Sequence, residues 1–342
     1  MKNNIIITIA IIIFGISCGE THHQIELSGF TMGTTYNIKI ISNNIDNNYK
    51  KDLNSQIDSI LNSINQQMST YLYNSEISTF NNTESIDPFY ISEEFSYVVK
   101  RALHWATKTE GAFDITLVPL LYLWGFGPGQ KGGLKDIFPD EATILKRKTH
   151  MGYDKLIINK NYLRKTDPYI KIDLNAIAKG FGVDAICSFL NSKSIKNYMV
   201  EIGGEVRCLG FNQKKKSWMI AIENPENSNS NNNIRWAVPL NNMSMATSGD
   251  YRNYYEIDNE RYSHEIDPRS GYPAQTKIAS ATVVASSCID ADALATALII
   301  MGIDKAMQLI EKTSNVEAFL IIRKDKESYE TIKSSGMKIE AI

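Results

Sequence analysis

The chain has 342 residues, of which 43% are hydrophobic and 22% charged, a composition typical of a globular protein rather than a disordered one. Its 36 basic and 38 acidic residues give a formal net charge of −2, which provides no electrostatic basis for binding nucleic acid. With only twenty glycines and nine prolines, the chain is also not collagen-like.

The N-terminus has the organisation of an export signal. Lys2 precedes an apolar run that is shorter than the ~20 residues a membrane-spanning helix needs. Small residues then lead into Cys18, in a pattern that resembles the lipobox of bacterial lipoproteins, where the cysteine is lipidated. An ordinary signal peptide with a coincidental cysteine is the alternative. We expect a lipoprotein signal peptide at 1–17 and a polar tether at 18–26 that holds the folded part outside a membrane.

The three other cysteines have no framework spacing. Cys187, Cys208 and Cys288 are odd in number and form no Cys-x-x-Cys pair. This pattern predicts neither a disulfide scaffold nor a zinc site, so we expect three small buried side chains.

Hydrophobic periodicity predicts the elements along the chain. The predicted helices are 49–68, 92–109, 173–190 and 290–301. The predicted strands are a hairpin over 25–41, then 153–159, 162–165, 198–201, 205–209, 217–223, 234–240, 244–247 and 318–323. Because helices and strands mix without regular βαβ alternation, the pattern favours an α+β fold over a doubly wound sheet.

One apparent nucleotide motif is uninformative. Residues 127–132 match G-x-G-x-x-G, but Pro128 lies inside the match and no helical periodicity follows. A dinucleotide fingerprint needs a preceding strand and a helix that opens within the motif. We expect a loop here.

The start of the helix predicted at 173–190 combines an acid and a base. Asp173 and Lys179 near a helix N-terminus suit a phosphate or a metal-bound phosphate. The alternative is that Asp173 only caps the helix and Lys179 points to water.

Two oxygen-bearing residues are four positions apart in the helix predicted at 290–301. Asp292 and Thr296 therefore lie on one helix face and could donate two hard ligands to Mg²⁺. A polar stripe on a buried helix is the alternative.

His264, one of five histidines, is followed closely by an Asp-Pro turn. This position suits proton transfer as well as a structural role in the turn. The chain lacks the nucleophile elbow G-x-S-x-G, which disfavours a serine hydrolase.

Eight segments in order resemble the FAD:protein FMN transferase (ApbE) family, over about Gly29 to Gly302. They are Gly29–Tyr36, Met68–Tyr71 with Ser75–Ser78, Glu110–Thr116, Asp173–Gly180, Glu201–Glu205, Ala246–Tyr251, Ser263–Gly271 with Pro273, and Ala291–Thr296. Each segment alone is weak, but their shared order is specific. The resemblance implies an α+β fold of mixed, largely antiparallel sheets with flanking helices, and two lobes around a flavin and metal cleft.

The resemblance also implies an activity and a set of site residues. Family members are typically exported lipoproteins that split FAD with Mg²⁺ and attach FMN to a Thr or Ser of a target protein, releasing AMP. The catalytic domain would span 27–342 and face the periplasm, with acceptor proteins in exported or membrane redox complexes as partners. The implied flavin contacts are Met32, Tyr71, Ala112, Phe113, Asp114, Asp173, Lys179 and Ile266. The implied metal ligands, for Mg²⁺ with Mn²⁺ as the alternative, are Asp292, Thr296 and the carbonyl of Ala176. The implied catalytic residues are His264 as base and Asp250.

One residue departs from the family pattern. Glu265 follows the histidine, where an apolar residue is usual. Its carboxyl either faces the ring of His264 or points away, and both orientations remain open.

Two other functions are alternatives to flavin transfer. An FAD pyrophosphatase would use the same residues with water as the acceptor. A non-catalytic flavin-binding lipoprotein would need neither the metal ligands nor the base.

Overall fold

The computed structural model describes residues 23–43, 46–127, 130, 138–225, 234–250, 254–257, 260–324 and 328–341. The predicted signal peptide at 1–17, Cys18 and the start of the tether lie outside these residues, as does most of the motif at 127–132. The first strand begins at His23, within the segment expected to form the tether. No helix in the described ranges is long and apolar enough to cross a membrane.

Eight helices and sixteen strands are formed by the described residues. The helices are α1 Asn47–Met68, α2 Glu76–Asn82, α3 Glu93–Lys108, α4 Val118–Leu123, α5 Glu141–Lys148, α6 Ala178–Ser192, α7 Cys288–Met301 and α8 Ile303–Glu311. The strands are β1 His23–Thr31, β2 Thr34–Ser42, β3 Phe89–Tyr90, β4 Leu156–Asn159, β5 Tyr162–Lys165, β6 Tyr198–Ile202, β7 Glu205–Leu209, β8 Trp218–Glu223, β9 Ile234–Leu240, β10 Met243–Gly249, β11 Tyr254–Ile257, β12 Glu260–Ser263, β13 Ile278–Ala285, β14 Val316–Arg323, β15 Tyr329–Lys333 and β16 Glu340–Ala341.

A large antiparallel sheet organises the fold. Its eight strands run in the order β1-β2-β6-β7-β10-β13-β14-β15, and every neighbouring pair is antiparallel. Three small sheets, β11-β12, β16-β9-β8 and β3-β5-β4, are antiparallel as well. The prediction of an α+β fold with largely antiparallel sheets and flanking helices is confirmed.

Two sequence-based boundaries are wrong for local reasons. The helix predicted from Asp173 begins only at Ala178, because the carboxylate of Asp173 accepts the N–H of Asn175 (2.8 Å) and turns the chain before the helix. The strand predicted from Tyr153 begins at Leu156, since 153–155 form a single tight helical turn.

Helix α7 is buried on all sides at the centre of the molecule. It packs against α6, β10 and β13, and its alanines let these elements approach closely. Asp292 is 2% exposed, so its carboxylate is held by neighbouring residues and not free in solvent. A helix of this composition has no polar side, and its few polar residues therefore require partners inside the fold.

Helices α6 and α7 cap each other. The N–H of Gly180, in the first turn of α6, donates to Asp292 Oδ2 of α7 (2.9 Å). The N–H of Ile289, in the first turn of α7, donates to Asp184 Oδ2 of α6 (2.9 Å). Unpaired N–H groups at a helix start favour a carboxylate. We call these two hydrogen bonds the reciprocal caps, and they fix the orientation of Asp292.

The close approach of the two helices makes Gly180 intolerant of a side chain. A Cβ at this position would overlap the carbonyl oxygen of Cys288 and lie 2.8 Å from Cβ of Asp292. We expect Gly180→Ala to lower the free energy of unfolding by about 1–3 kcal/mol, the usual cost of overpacking, measured by urea titration. Gly182→Ala is the control, because its Cβ would meet only the flexible ends of Met32 and Ile202. Equal stability of the two variants would contradict the prediction.

Candidate active site

A cavity of about 620 Å³ lies beside α7, between the large sheet and the segment around α4. Its lining includes most of the residues that the sequence singled out. They are Tyr71, Ala112, Phe113, Asp114, Asp173, Ala176, Lys179, His264, Ile266, Asp292 and Thr296. Distant segments of the sequence therefore converge on one space, large enough for a cofactor-sized ligand.

Two of the predicted site residues are not among those that line the cavity. Met32 lies in the β1–β2 turn with φ of 49°, and its side chain reaches Gly182 at the start of α6. Asp250 directs its carboxylate at Arg323 of β14, which donates two hydrogen bonds of 3.0 and 2.8 Å. The carboxylate of Asp250, which was expected to take part in catalysis, is therefore engaged in an ion pair with Arg323.

Three ionisable side chains meet where α6, β7 and α7 approach each other, and we call them the charged cluster. Lys179 Nζ is 3.0 Å from Glu205 Oε1 and 3.6 Å from Asp292 Oδ1. Burial alone would lower the pKa of Lys179, but the two carboxylates raise it, so the side chain remains an ammonium. Burial raises the pKa of Glu205, and the nearby ammonium of Lys179 opposes that shift.

Glu205 is a cavity residue that sequence reasoning missed. It is 4% exposed, and its Oε2 has no hydrogen-bond partner in the described part of the chain. The sequence offered two indications of Glu205: it directly follows the Gly203-Gly204 turn, and it belongs to the family-like segment Glu201–Glu205. Only the fold shows that this residue pairs with Lys179.

The oxygen atoms on one side of the cavity suit a hard cation. Asp292 and Thr296 both face the cavity from α7, and Ala176 lines it from the loop before α6. The hydroxyl of Thr296 is 3.1 Å from the hydroxyl of Ser248 on β10. Among the described residues, no group of three or more His, Cys, Asp or Glu side chains is arranged to hold a metal ion. A set of one carboxylate with hydroxyl and carbonyl oxygens fits Mg²⁺ or Mn²⁺ rather than a softer metal.

Two half-buried aspartates shape the loops of the cavity. Asp173 accepts hydrogen bonds from Asn175 N–H and from the Thr70 hydroxyl (3.4 Å), and its own N–H donates to the carbonyl of Ile115 (2.8 Å). Asp114 accepts from Thr116 N–H (2.8 Å) and from the Thr116 hydroxyl (2.7 Å). Burial raises the pKa of both carboxyls. The hydrogen bond from Asp173 N–H to the carbonyl of Ile115 joins the two loops along one wall.

The carboxyl of Glu265 faces His264. Glu265 Oε1 is 3.4 Å from His264 Nε2, and the Glu265 side chain is buried while the histidine ring remains partly exposed to the cavity. Burial raises the pKa of Glu265, and the nearby His264 opposes the shift. The structure thereby settles which of the two orientations Glu265 adopts.

The buried carboxyl of Glu265 should weaken the fold as the pH rises. Above its ordinary pKa of 4.5, the unfolded chain loses a proton that the native carboxyl still holds, so stability falls through this window. We expect Glu265→Gln to make the decrease shallower and to be more stable than the wild type at neutral pH, measured by urea unfolding across a pH series.

Glu311→Gln is the control for Glu265→Gln, because its expected effect on the pH dependence of stability has the opposite sign. Hydrogen bonds from Ser335 lower the pKa of Glu311, which adds stability at higher pH. Glu311→Gln should therefore remove stability that the wild type gains as the pH rises, whereas Glu265→Gln should remove a loss of stability. An unchanged pH slope in Glu265→Gln would show that the native carboxyl is already ionised.

Comparison with known proteins places this arrangement in a family. Residues 32–320 match the model of the ApbE family. The FAD:protein FMN transferase of Vibrio cholerae is 41% identical over 336 residues, which cover 98% of each chain. The structure of the flavin transferase ApbE from Vibrio cholerae superimposes with a TM-score of 0.80 at 41% identity, covering 92% of this chain and 98% of that one. The structure of the apo flavinyl transferase ApbE of Pseudomonas stutzeri superimposes with a TM-score of 0.82 at 33% identity, covering 92% of this chain and 95% of that one.

The family model and the relatives span nearly all of the described fold, including every segment that lines the cavity. An identity of 41% over almost the whole of both chains leaves no large region of this protein without a counterpart. The chain belongs to the ApbE family.

Proposed function

We propose that the protein is a flavin transferase that takes FAD and attaches FMN, through a phosphoester bond, to a Thr or Ser hydroxyl of a target protein. The observation that carries this proposal is the convergence of His264, Lys179 and the oxygens of Asp292 and Thr296 on one cavity. Relatives over nearly the whole chain carry the name FAD:protein FMN transferase, which supports the same reaction.

The chemistry follows from what each side chain can do. The acceptor oxygen forms a bond to the phosphorus of the FMN half, the bond from that phosphorus to the bridging oxygen breaks, and AMP leaves with that oxygen. His264 in its neutral form takes the proton of the acceptor hydroxyl. Lys179 is an ammonium that lines the same cavity, so it would place a positive charge beside the reacting phosphates.

A divalent cation would complete the charge balance. Asp292, Thr296 and the carbonyl of Ala176 would hold Mg²⁺, or Mn²⁺ in its place, and the cation would neutralise charge on the pyrophosphate. The oxygen-only donor set described above supports this assignment. The reciprocal cap from Gly180 engages Asp292 Oδ2, so Oδ1 would be the oxygen available to the cation.

The deciding experiment incubates the purified full chain with FAD, Mg²⁺ and a candidate acceptor from an exported redox complex. We expect covalent flavin on the acceptor by mass spectrometry and one AMP released for each flavin attached. A reaction with EDTA in place of Mg²⁺ is the control. Free FMN with AMP and no modified acceptor would indicate a pyrophosphatase, and intact bound FAD would indicate a carrier.

We also propose that the protein is a lipoprotein held at the periplasmic face of a membrane through Cys18. The N-terminal pattern of Lys2, an apolar run and small residues before the cysteine supports this location. Intact-mass analysis of membrane-extracted protein should show that 1–17 is absent and that Cys18 carries lipid. An unmodified cysteine, or cleavage at another position, would contradict the proposal.

A further inference from the structure

Lys179 lies between two carboxylates and leaves one of their oxygens unused. Its Nζ contacts Glu205 Oε1 at 3.0 Å and is 3.6 Å from Asp292 Oδ1. Asp292 Oδ2 already accepts the N–H of Gly180, so Oδ1 is the oxygen left for a cation. Glu205 Oε2 is buried and has no hydrogen-bond partner among the residues described.

A divalent cation bound at Asp292 Oδ1 would repel the ammonium group of Lys179, whose side chain is only partly exposed to water. Lys179 therefore needs another acceptor when a cation binds at that oxygen. Its three N–H donors can reach both oxygens of one carboxylate, and Glu205 already accepts from it through Oε1.

We propose that Glu205 is a positioning residue, which receives the ammonium group of Lys179 when a divalent cation binds Asp292 and thereby sets the affinity of the cation site. The proposal rests on the proposed function in placing that cation at Asp292. In ionised form the charged cluster carries one positive and two negative charges. We call this transfer of the ammonium group from Asp292 to Glu205 the exchange. It keeps the positive charge of Lys179 in the cavity, next to the place where the pyrophosphate would lie.

The test measures cation binding to the full chain without FAD, so that it does not depend on turnover. Mn²⁺ is the probe, and its free concentration is followed by electron paramagnetic resonance. Removing the competing ammonium in Lys179→Met should tighten Mn²⁺ binding at least about tenfold. Glu205→Gln should weaken Mn²⁺ binding several-fold, because Lys179 then has only Asp292 as an anionic partner.

A double-mutant cycle separates action through Lys179 from a direct effect of the Glu205 charge. Glu205→Gln should have no further effect in the Lys179→Met background, and an equal weakening in both backgrounds would overturn the proposal. Glu201→Gln is the matched control, because this carboxylate lies on the same β6–β7 hairpin but bonds Asn37 and Gly204. It should leave Mn²⁺ affinity unchanged. If Lys179→Met does not fold, Lys179→Gln removes the same charge and keeps hydrogen-bond donors.

Asp292→Asn distinguishes failure of this proposal from failure of the metal assignment. Tight Mn²⁺ binding in Asp292→Asn would overturn the assignment of the cation to Asp292, and the exchange with it. Loss of Mn²⁺ in Asp292→Asn with unchanged affinity in Lys179→Met would overturn the exchange alone. The proposal is supported if Asp292→Asn loses Mn²⁺, Lys179→Met binds it more tightly, and the effect of Glu205→Gln depends on Lys179.

Discussion

Replacing Asp292 with alanine should reduce FMN transfer by at least about 100-fold, the scale expected when a charge-stabilising group is lost. Asp292 is the only carboxylate among the proposed metal ligands, and its Oδ1 is the oxygen directed away from the cap on Gly180. FAD should still bind, because the walls formed by residues such as Tyr71 and Phe113 remain. Rates of covalent flavin transfer with saturating Mg²⁺, and FAD affinity by fluorescence, check the two halves of the prediction.

The matched control for Asp292 lies on the same helix. Asp290 accepts hydrogen bonds from Arg101 and Trp105 and is not among the residues that line the cavity. Asp290→Asn removes a carboxylate two positions away. It should lower the free energy of unfolding but change the rate of FMN transfer little. If Asp292→Ala transfers FMN normally with Mg²⁺ present, the metal ligand has been assigned wrongly.

Replacing His264 with alanine should lower the transfer rate by about 10²–10⁴-fold, the usual contribution of a general base. His264 lines the cavity and its ring is partly exposed there, so it can reach an acceptor hydroxyl. The affinities for FAD and for the cation should hold, because the loss falls on proton transfer and not on binding. Rates of covalent flavin transfer with saturating FAD and Mg²⁺, together with FAD affinity by fluorescence, check the prediction.

His104→Ala serves as the control for His264. His104 lies on α3 against Trp105, outside the cavity lining, so its replacement should leave transfer unchanged. A His264→Ala variant that transfers FMN at the wild-type rate would remove the histidine from the mechanism. Asp250 would then be the next candidate, although its ion pair with Arg323 would first have to open.

Periodicity predicted the long helices of the fold but missed β13, an interior strand of the large sheet. The buried positions of α1 and α3 recur at helical spacing, and both helices were predicted within a few residues of their ends. Strand β13 was missed because all eight of its residues are buried, which leaves no alternation to detect. The start of α6 was placed too early because an Asp before a helix predicts a cap, whereas Asp173 here closes a turn.

The site was predicted where one short segment carries its chemistry, and missed where the chemistry depends on pairing between distant segments. Their spacing placed Asp292 and Thr296 on one helix face, and both line the cavity. Glu205 and Lys179 come from different elements, so nothing local in the sequence links them. The partner of Asp250 is likewise a residue of β14, which no spacing rule connects with it.

The reciprocal caps between α6 and α7 have a consequence for how the protein acquires its site during folding. Gly180 N–H and Ile289 N–H each depend on a carboxylate of the other helix, so neither helix start is satisfied until both helices have docked. Asp292 serves at once as a cap and as the proposed metal ligand. Catalytic competence and the packing of the central helices should therefore arise together, as one cooperative event. We therefore expect no partly folded state of the chain to have a functional cation site.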